Sequence, residues 1–208
     1  MKLVVLGATG GIGQELVSQA IQHGHSVTAF ARSPETLLNF DDGLLLMRGN
    51  LLDVDELAVV LSGQDAVLSA FGPRLPIANG DSNLLRRFGT TLTSAMAKAR
   101  VRRATIVSTA FLFKDSIVPP TNLFGRWFFP NVVEDASGME EAIAQSGLDW
   151  TIVRPPRLTD KPRTGAYRVC EGHLPSFGFT VSRADVADYM IRTVEERAVI
   201  GKVVGVCN

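Results

Sequence analysis

The first thirteen residues constrain this chain more than any other stretch, because a short apolar run, Leu3 to Leu6, leads directly into Gly7-Ala8-Thr9-Gly10-Gly11-Ile12-Gly13. An uninterrupted apolar run of that length suits a strand covered on both faces. From Gly11 onward, Ile12, Leu16, Val17, Ala20 and Ile21 supply the apolar stripe of a helix, so strand, glycine turn and helix form one unit. Gly7 permits the tight turn, Gly10 lets the backbone approach a ligand, and Gly13 lets helix and strand pack closely. Free N–H groups at the helix start then face an anion. Glycine triplets alone are common, but one set between an opening strand and an amphipathic helix reads as the diphosphate turn of a nicotinamide dinucleotide site. Gly7, Thr9, Gly10, Gly11, Ile12 and Gly13 are its expected contacts.

Downstream, strand-like and helix-like segments keep alternating with short polar turns, the pattern of a doubly wound, mainly parallel sheet with helices on both faces. Strands are expected over 26–30, 44–47, 66–69, 104–107 and 150–153, with late strands over 165–170 and 202–206. Helices are expected near 34–38, from the Asp53 cap to Leu61, and over 83–99, 131–145 and 182–196. No linker rich in Pro, Gly or Ser divides the 208 residues. The fold class is therefore α/β: a single Rossmann-like domain over 1–208, its substrate cleft formed by about 108–180.

Twenty-one basic residues balance twenty-one acidic ones, so no global field draws the chain to nucleic acid or to an anionic membrane. No apolar run approaches the ~18 residues that span a bilayer, and Met1-Lys2 carries no signal-peptide pattern, which gives a cytoplasmic expectation. Cys170 and Cys207 read as small apolar fillers. His23, His25 and His173 lack metal-ligand spacing to another His, Cys or carboxylate, so no metal is expected. Lys98, Arg100, Arg102 and Arg103 fall where a helix ends and read as solvated charge favourable to its C-terminus.

The tip of the second strand bears on cofactor choice. An NAD-selective site carries an acid about 20 residues past the glycines to bind the ribose hydroxyls. Here that place reads Phe30-Ala31-Arg32-Ser33, a guanidinium and a hydroxyl suited to a 2′-phosphate. NADP(H) is expected over NAD(H), with Glu35 a further candidate for the ribose. Ligands of an open parallel sheet sit beyond the carboxyl ends of its strands. Asn50 and Leu51 are thereby placed for the adenine, and Phe71, Gly72 and Arg74 for the ribose and diphosphate. Pro155, Pro156 and Leu158 close the far side.

These motifs resemble the short-chain dehydrogenase/reductase superfamily in its atypical, NmrA-like NAD(P)H-binding branch. The resemblance rests on Gly7 to Gly13, Gly49-Asn-Leu-Leu-Asp53, Gly63-Gln-Asp-Ala-Val67, Ser146-Gly-Leu-Asp-Trp-Thr-Ile-Val-Arg-Pro-Pro156 and Ser182-Arg-Ala-Asp-Val-Ala187. Within that branch the chain is most similar to the flavin reductase (biliverdin reductase B) type, through Ser108-Thr-Ala-Phe-Leu112, Val118-Pro-Pro120 and Thr164-Gly-Ala-Tyr167. The resemblance implies that Thr109, with Ser108 beside it, stands at the place of an active-site serine. It puts Arg157 where that type has a histidine. An always-charged group binds or polarises an anionic substrate instead of exchanging protons.

Many short-chain dehydrogenases use a Tyr with a Lys four positions later to protonate a carbonyl. Tyr167 is followed at that distance by Glu171 and Tyr189 by Thr193, and 131–145 contains neither Tyr nor Lys. Alcohol–ketone chemistry of that kind is disfavoured. Hydride delivery to a flavin, quinone or similar planar redox substrate asks less of the protein, because the acceptor delocalises the incoming charge. The aromatic segment 123–130 reads either as a lid over such a ring or as a packing contact, in the core or in a homodimer. Two functions stay open: an NADPH-dependent reductase, or a non-catalytic redox sensor that binds a protein partner.

Overall fold

A computed structural model gives the architecture and describes residues 1–37, 43–72, 83–113 and 130–208. The strands are β1 (Lys2–Leu6), β2 (Ser26–Ala31), β3 (Leu44–Arg48), β4 (Ala66–Ser69), β5 (Arg103–Val107), β6 (Asp149–Arg154), β7 (Arg157–Thr159), β8 (Arg168–Glu171), β9 (Thr180–Ser182) and β10 (Lys202–Cys207). The helices are α1 (Gly11–Gln22), α2 (Val54–Leu61), α3 (Leu84–Ala99), α4 (Pro130–Ala144) and α5 (Arg183–Glu196). Short 3-10 turns occupy Pro34–Leu37 and Ala110–Leu112. Among the described residues one sheet runs β3-β2-β1-β4-β5-β6-β10-β8, parallel except for the antiparallel pair of β10 and β8. This is the expected Rossmann-like arrangement. Strand order reverses beside β1, so a crevice opens beyond the carboxyl ends of β1 and β4, where the glycine loop begins.

The two faces of β1 show why its sequence is apolar throughout. Leu3 and Val5 join the core beneath α1 and α5, while Val4 and Leu6 join the one beneath α2, α3 and α4. All four are fully buried, each contributing about 1.5–3 kcal/mol of transfer free energy. Asp53 caps α2 by accepting from the amides of Asp55 and Glu56. The start of α3 is capped from elsewhere: the carboxylate of Asp135 on α4 accepts from Leu85 N and Arg86 N, both at 2.8 Å.

Several sequence expectations need correction. The late strand over 165–170 is displaced to Arg168–Glu171, and a small parallel pair, β7 with β9, was not foreseen. Arg103 is not solvated surface. It is 3% exposed, and its guanidinium donates to Ala104 O, Asp149 O, Thr151 Oγ1 and Thr193 O. Burial lowers its pKa to about 10. It ties β5 and β6 to α5, a role that charge counting along the chain does not reveal. Lys98 and Arg102 are exposed, paired with Asp55 and Asp149. Among the described residues no helix is long and apolar enough to cross a membrane.

Candidate active site

The glycine loop is built by steric necessity. Gly7 has φ +73°, and a Cβ there would fall 2.8 Å from the backbone of Ala70 and Phe71 at the end of β4. A Cβ on Gly13 would fall 2.1 Å from Gly7 O and 2.7 Å from Ala8 Cα. Only bare backbone lets α1 start this close to β1. Gly10 occupies the N-cap of α1 without a side chain to cap it, and its N–H donates to Gly7 O at 3.0 Å. The first amides of α1 therefore lack intrahelical partners and face the crevice beyond β1. Ile12 turns its side chain into the core, leaving its backbone for a ligand, and Thr9 O accepts from Gln14 Nε2. These features fit the diphosphate of a dinucleotide: a cradle that side chains would fill, lined by N–H donors.

Beyond the end of β2, where the sequence placed the ribose phosphate, Arg32 and Ser33 are both exposed, and the Arg32 side chain makes no hydrogen bond or ion pair with the described residues. Glu35 is engaged by Arg48. Because Arg48 stands level with Ala31 across β2 and β3, a second guanidinium flanks this end, one that sequence spacing did not single out. Asn50 accepts from Leu52 N through its side chain while its own N–H donates to Glu56, so it also shapes its turn. Leu51 is 6% exposed and packs in the core. Phe71 packs against Phe88 with ring centroids 4.6 Å apart and ring planes tilted by 43°, and Gly72 is exposed, with no described atom within 4 Å of where a Cβ would fall. Arg74 lies outside the described residues, as do 123–129 of the aromatic segment.

At the other end, Ser108 N donates to Val153 O, which joins the exits of β5 and β6. The Ser108 hydroxyl is buried and has no hydrogen-bond partner among the described residues. Thr109 differs, since its Oγ1 accepts from Phe111 N and caps the turn Ala110–Leu112. Pro155 is buried and its carbonyl accepts from Ala110 N; Pro156 and Leu158 are half-buried, and Arg157 is exposed. Beneath them Arg154 forms a two-point pair with Glu140 of α4 while its guanidinium covers Phe113, 4.7 Å from the ring centre. That pair fixes the end of β6 and was missed for want of any local signal.

Polar side chains also hold the neighbouring 160–167 segment. Asp185, fully buried, accepts from Thr164 N, Thr164 Oγ1, Gly165 N, Ser182 Oγ and Asn208 Nδ2. Burial alone would raise its pKa, but these donors outweigh burial and hold it below the ordinary carboxylate value. Ser182-x-x-Asp185 is a helix-capping pattern that could have signalled this from sequence. Tyr167 donates to Asp188 at 2.7 Å, and burial with that bond pushes its pKa well up. Burial likewise raises Tyr189 to about 12. Neither phenol is poised to give up a proton.

The histidine expectation also changes. The fold brings Glu195 to His23 and His25, with one ligand atom from each lying within 4.8 Å of the others. Spacing along the chain could not show this, because Glu195 comes from the far end of α5. His25 Nε2 is already hydrogen-bonded to Glu195 at 3.0 Å, which accounts for the grouping as a corner between α1 and α5.

A family model described as NAD(P)H-binding matches residues 7–197. The chain belongs to this NAD(P)H-binding family. It is 28% identical to the uncharacterized protein YwnB of Bacillus subtilis, over 94% of this chain and 92% of that one. With the chloroplastic uncharacterized protein At2g34460 of Arabidopsis thaliana it shares 30% identity, over 98% of this chain and 75% of the relative. The anaerobillin reductase ChuY of Escherichia coli O157:H7 has the same fold, with TM-score 0.80, 21% identity, and coverage of 100% of this chain and 97% of that one. The match across residues 7–197 makes this an NAD(P)H-binding domain.

Proposed function

We propose that this member of the NAD(P)H-binding family is an NADPH-dependent reductase acting on a flavin, quinone or similar planar conjugated acceptor. The observation that carries this reading is the buried, unpartnered hydroxyl of Ser108 at the exit of β5, next to the strand exit that presents Arg157. A buried polar atom left unpaired is costly, and a ligand group at this end of the sheet would satisfy it. When bound, the nicotinamide supplies a hydride from C4.

The chain's own groups bind and orient. The α1 amides hold the diphosphate, while Arg32 and Ser33 hold the 2′-phosphate. Ser108 offers a hydrogen bond to the carboxamide or the acceptor, and Thr109, whose Oγ1 accepts from Phe111 N, brings a second hydroxyl donor beside it. Arg157, permanently charged, attracts an anionic acceptor and leaves protonation to solvent. Likeness in fold to an anaerobillin reductase supports a conjugated acceptor, as does the lack of a Tyr–Lys pair.

The test is steady NADPH consumption with FMN and with quinones. We expect turnover that falls in Thr109→Val and in Arg157→Ala. Tight NADPH binding without turnover of any planar acceptor, together with a co-purifying protein, would instead identify a redox sensor.

A further inference from the structure

Arg183, the first residue of α5, is absent from the site as the sequence defines it, yet it lies against the glycine loop. A Cβ on Gly11 would sit 2.5 Å from Arg183 Cδ, 2.7 Å from its Nε and 3.7 Å from its Cζ. The arginine stem thus occupies the space that glycine leaves open at the first residue of α1. Gly11 is needed there for room as well as for backbone approach. The placement follows from how the helices pack. Gln19 of α1 donates to Ala184 O at 3.0 Å and His25 bonds Glu195, so α5 runs beside α1 and both begin at the same edge of the sheet. The guanidinium donates through Nη1 to Asp160, whose side chain is 89% exposed, on the segment after β7.

We propose that Arg183 is a diphosphate-binding residue of this site and that Asp160 holds it ready when no dinucleotide is bound. The inference rests on the dinucleotide reading and deepens it. An ion pair with so exposed a partner adds little net stability, so the guanidinium exchanges it readily for a better acceptor. A diphosphate is that acceptor, because its oxygens match the two parallel N–H bonds of a guanidinium fork. Arg183 supplies positive charge from the α5 side while the α1 amides supply donors from the other. The same exchange reaches the acceptor side, since Asp160 lies three residues beyond Arg157.

Calorimetry on the full chain tests this with two probes, NADPH and adenosine 2′-monophosphate, which has the 2′-phosphate but no diphosphate. Arg183→Ala should weaken NADPH by about 10-fold or more, the worth of a charged hydrogen bond, and leave adenosine 2′-monophosphate within about two-fold. Arg183→Lys should recover part of the loss. Asp160→Asn should tighten NADPH a few-fold, and that gain should vanish in the double variant lacking Arg183. Equal NADPH affinity in wild type and Arg183→Ala overturns the proposal, as does an equal loss for both probes. If the wild-type chain binds neither NADPH nor NADH, the dinucleotide reading itself fails, an outcome distinct from either.

Discussion

The two ends of the crevice are held by different physics. At the glycine loop, shape comes from backbone: Gly7 and Gly13 lie so close to neighbouring main chain that no side chain fits. At the acceptor end, shape comes from side chains: Arg154 on Glu140, and Asp185 gathering donors from Thr164, Gly165, Ser182 and Asn208. The first arrangement is rigid by exclusion and has a shape that fits what every dinucleotide shares, its diphosphate. The second is a set of polar contacts that can be re-aimed by single substitutions, which suits the end where the proposed acceptor would be chosen. The contrast predicts that damage at one end leaves the other largely intact.

The largest effect is expected from Gly13→Ala. Its methyl would enter the 2.1 Å gap to Gly7 O, so the loop backbone must move. Overpacking of this kind costs about 1–3 kcal/mol of stability. Loss of the aligned amides should weaken NADPH by at least about 100-fold in calorimetry. A variant that melts lower yet binds NADPH normally would show that the loop is structural only.

Asp185→Asn strikes the other end. It places amide N–H groups among donors that need acceptors, and about 2–3 kcal/mol should be lost in urea unfolding. Acceptor KM should rise while affinity for adenosine 2′-monophosphate, which does not reach the first turn of α5, stays within about two-fold. Because the native carboxyl titrates below its unfolded value near 3.9, its stabilisation is complete above that value and disappears as pH falls through the lower native one. The stability gap between wild type and variant should therefore hold from pH 7 to about 5 and shrink below about 4. A gap unchanged at pH 3 would mean that packing, not charge, sets the effect.

Next in size is Arg32→Ala. With Arg32 exposed and unpaired among the described residues, its removal should leave stability unchanged and cost NADPH about 10-fold or more in affinity, with NADH almost unaffected. Retained preference for NADPH would move the 2′-phosphate to another cation, with Arg48 the first to test.

The same contrast explains what could be read from the sequence. Backbone constraints are written locally: the glycine loop, the Asp53 cap and the doubly apolar β1 each occupy a few consecutive residues with one physical meaning. The acceptor end is not written locally. Glu140 and Arg154 are fourteen residues apart and Thr164 and Asp185 twenty-one; at the opposite edge of the sheet Arg103 reaches Thr193 across ninety. Pairings at such separations carry no periodicity. The strands β7 and β9 are three residues each, too short to alternate, and β7 directly follows a double proline. Arg183 hides for a related reason, since only the side-by-side packing of α1 and α5 brings it to Gly11.

The smallest effect separates two adjacent hydroxyls. Thr109 Oγ1 caps a turn, so Thr109→Val should lose about 1 kcal/mol of stability along with activity. Ser108 Oγ caps nothing, and Ser108→Ala removes a buried unpaired oxygen, so stability should be unchanged or rise by up to about 1 kcal/mol. If a ligand is its partner, the same variant should slow acceptor reduction about five-fold, the worth of one hydrogen bond made at the reacting end. A gain in stability with a loss in rate is a signature that a structural hydroxyl cannot produce. Equal rates in Ser108→Ala and wild type would remove the observation on which the acceptor end was assigned and leave only the glycine loop as a site.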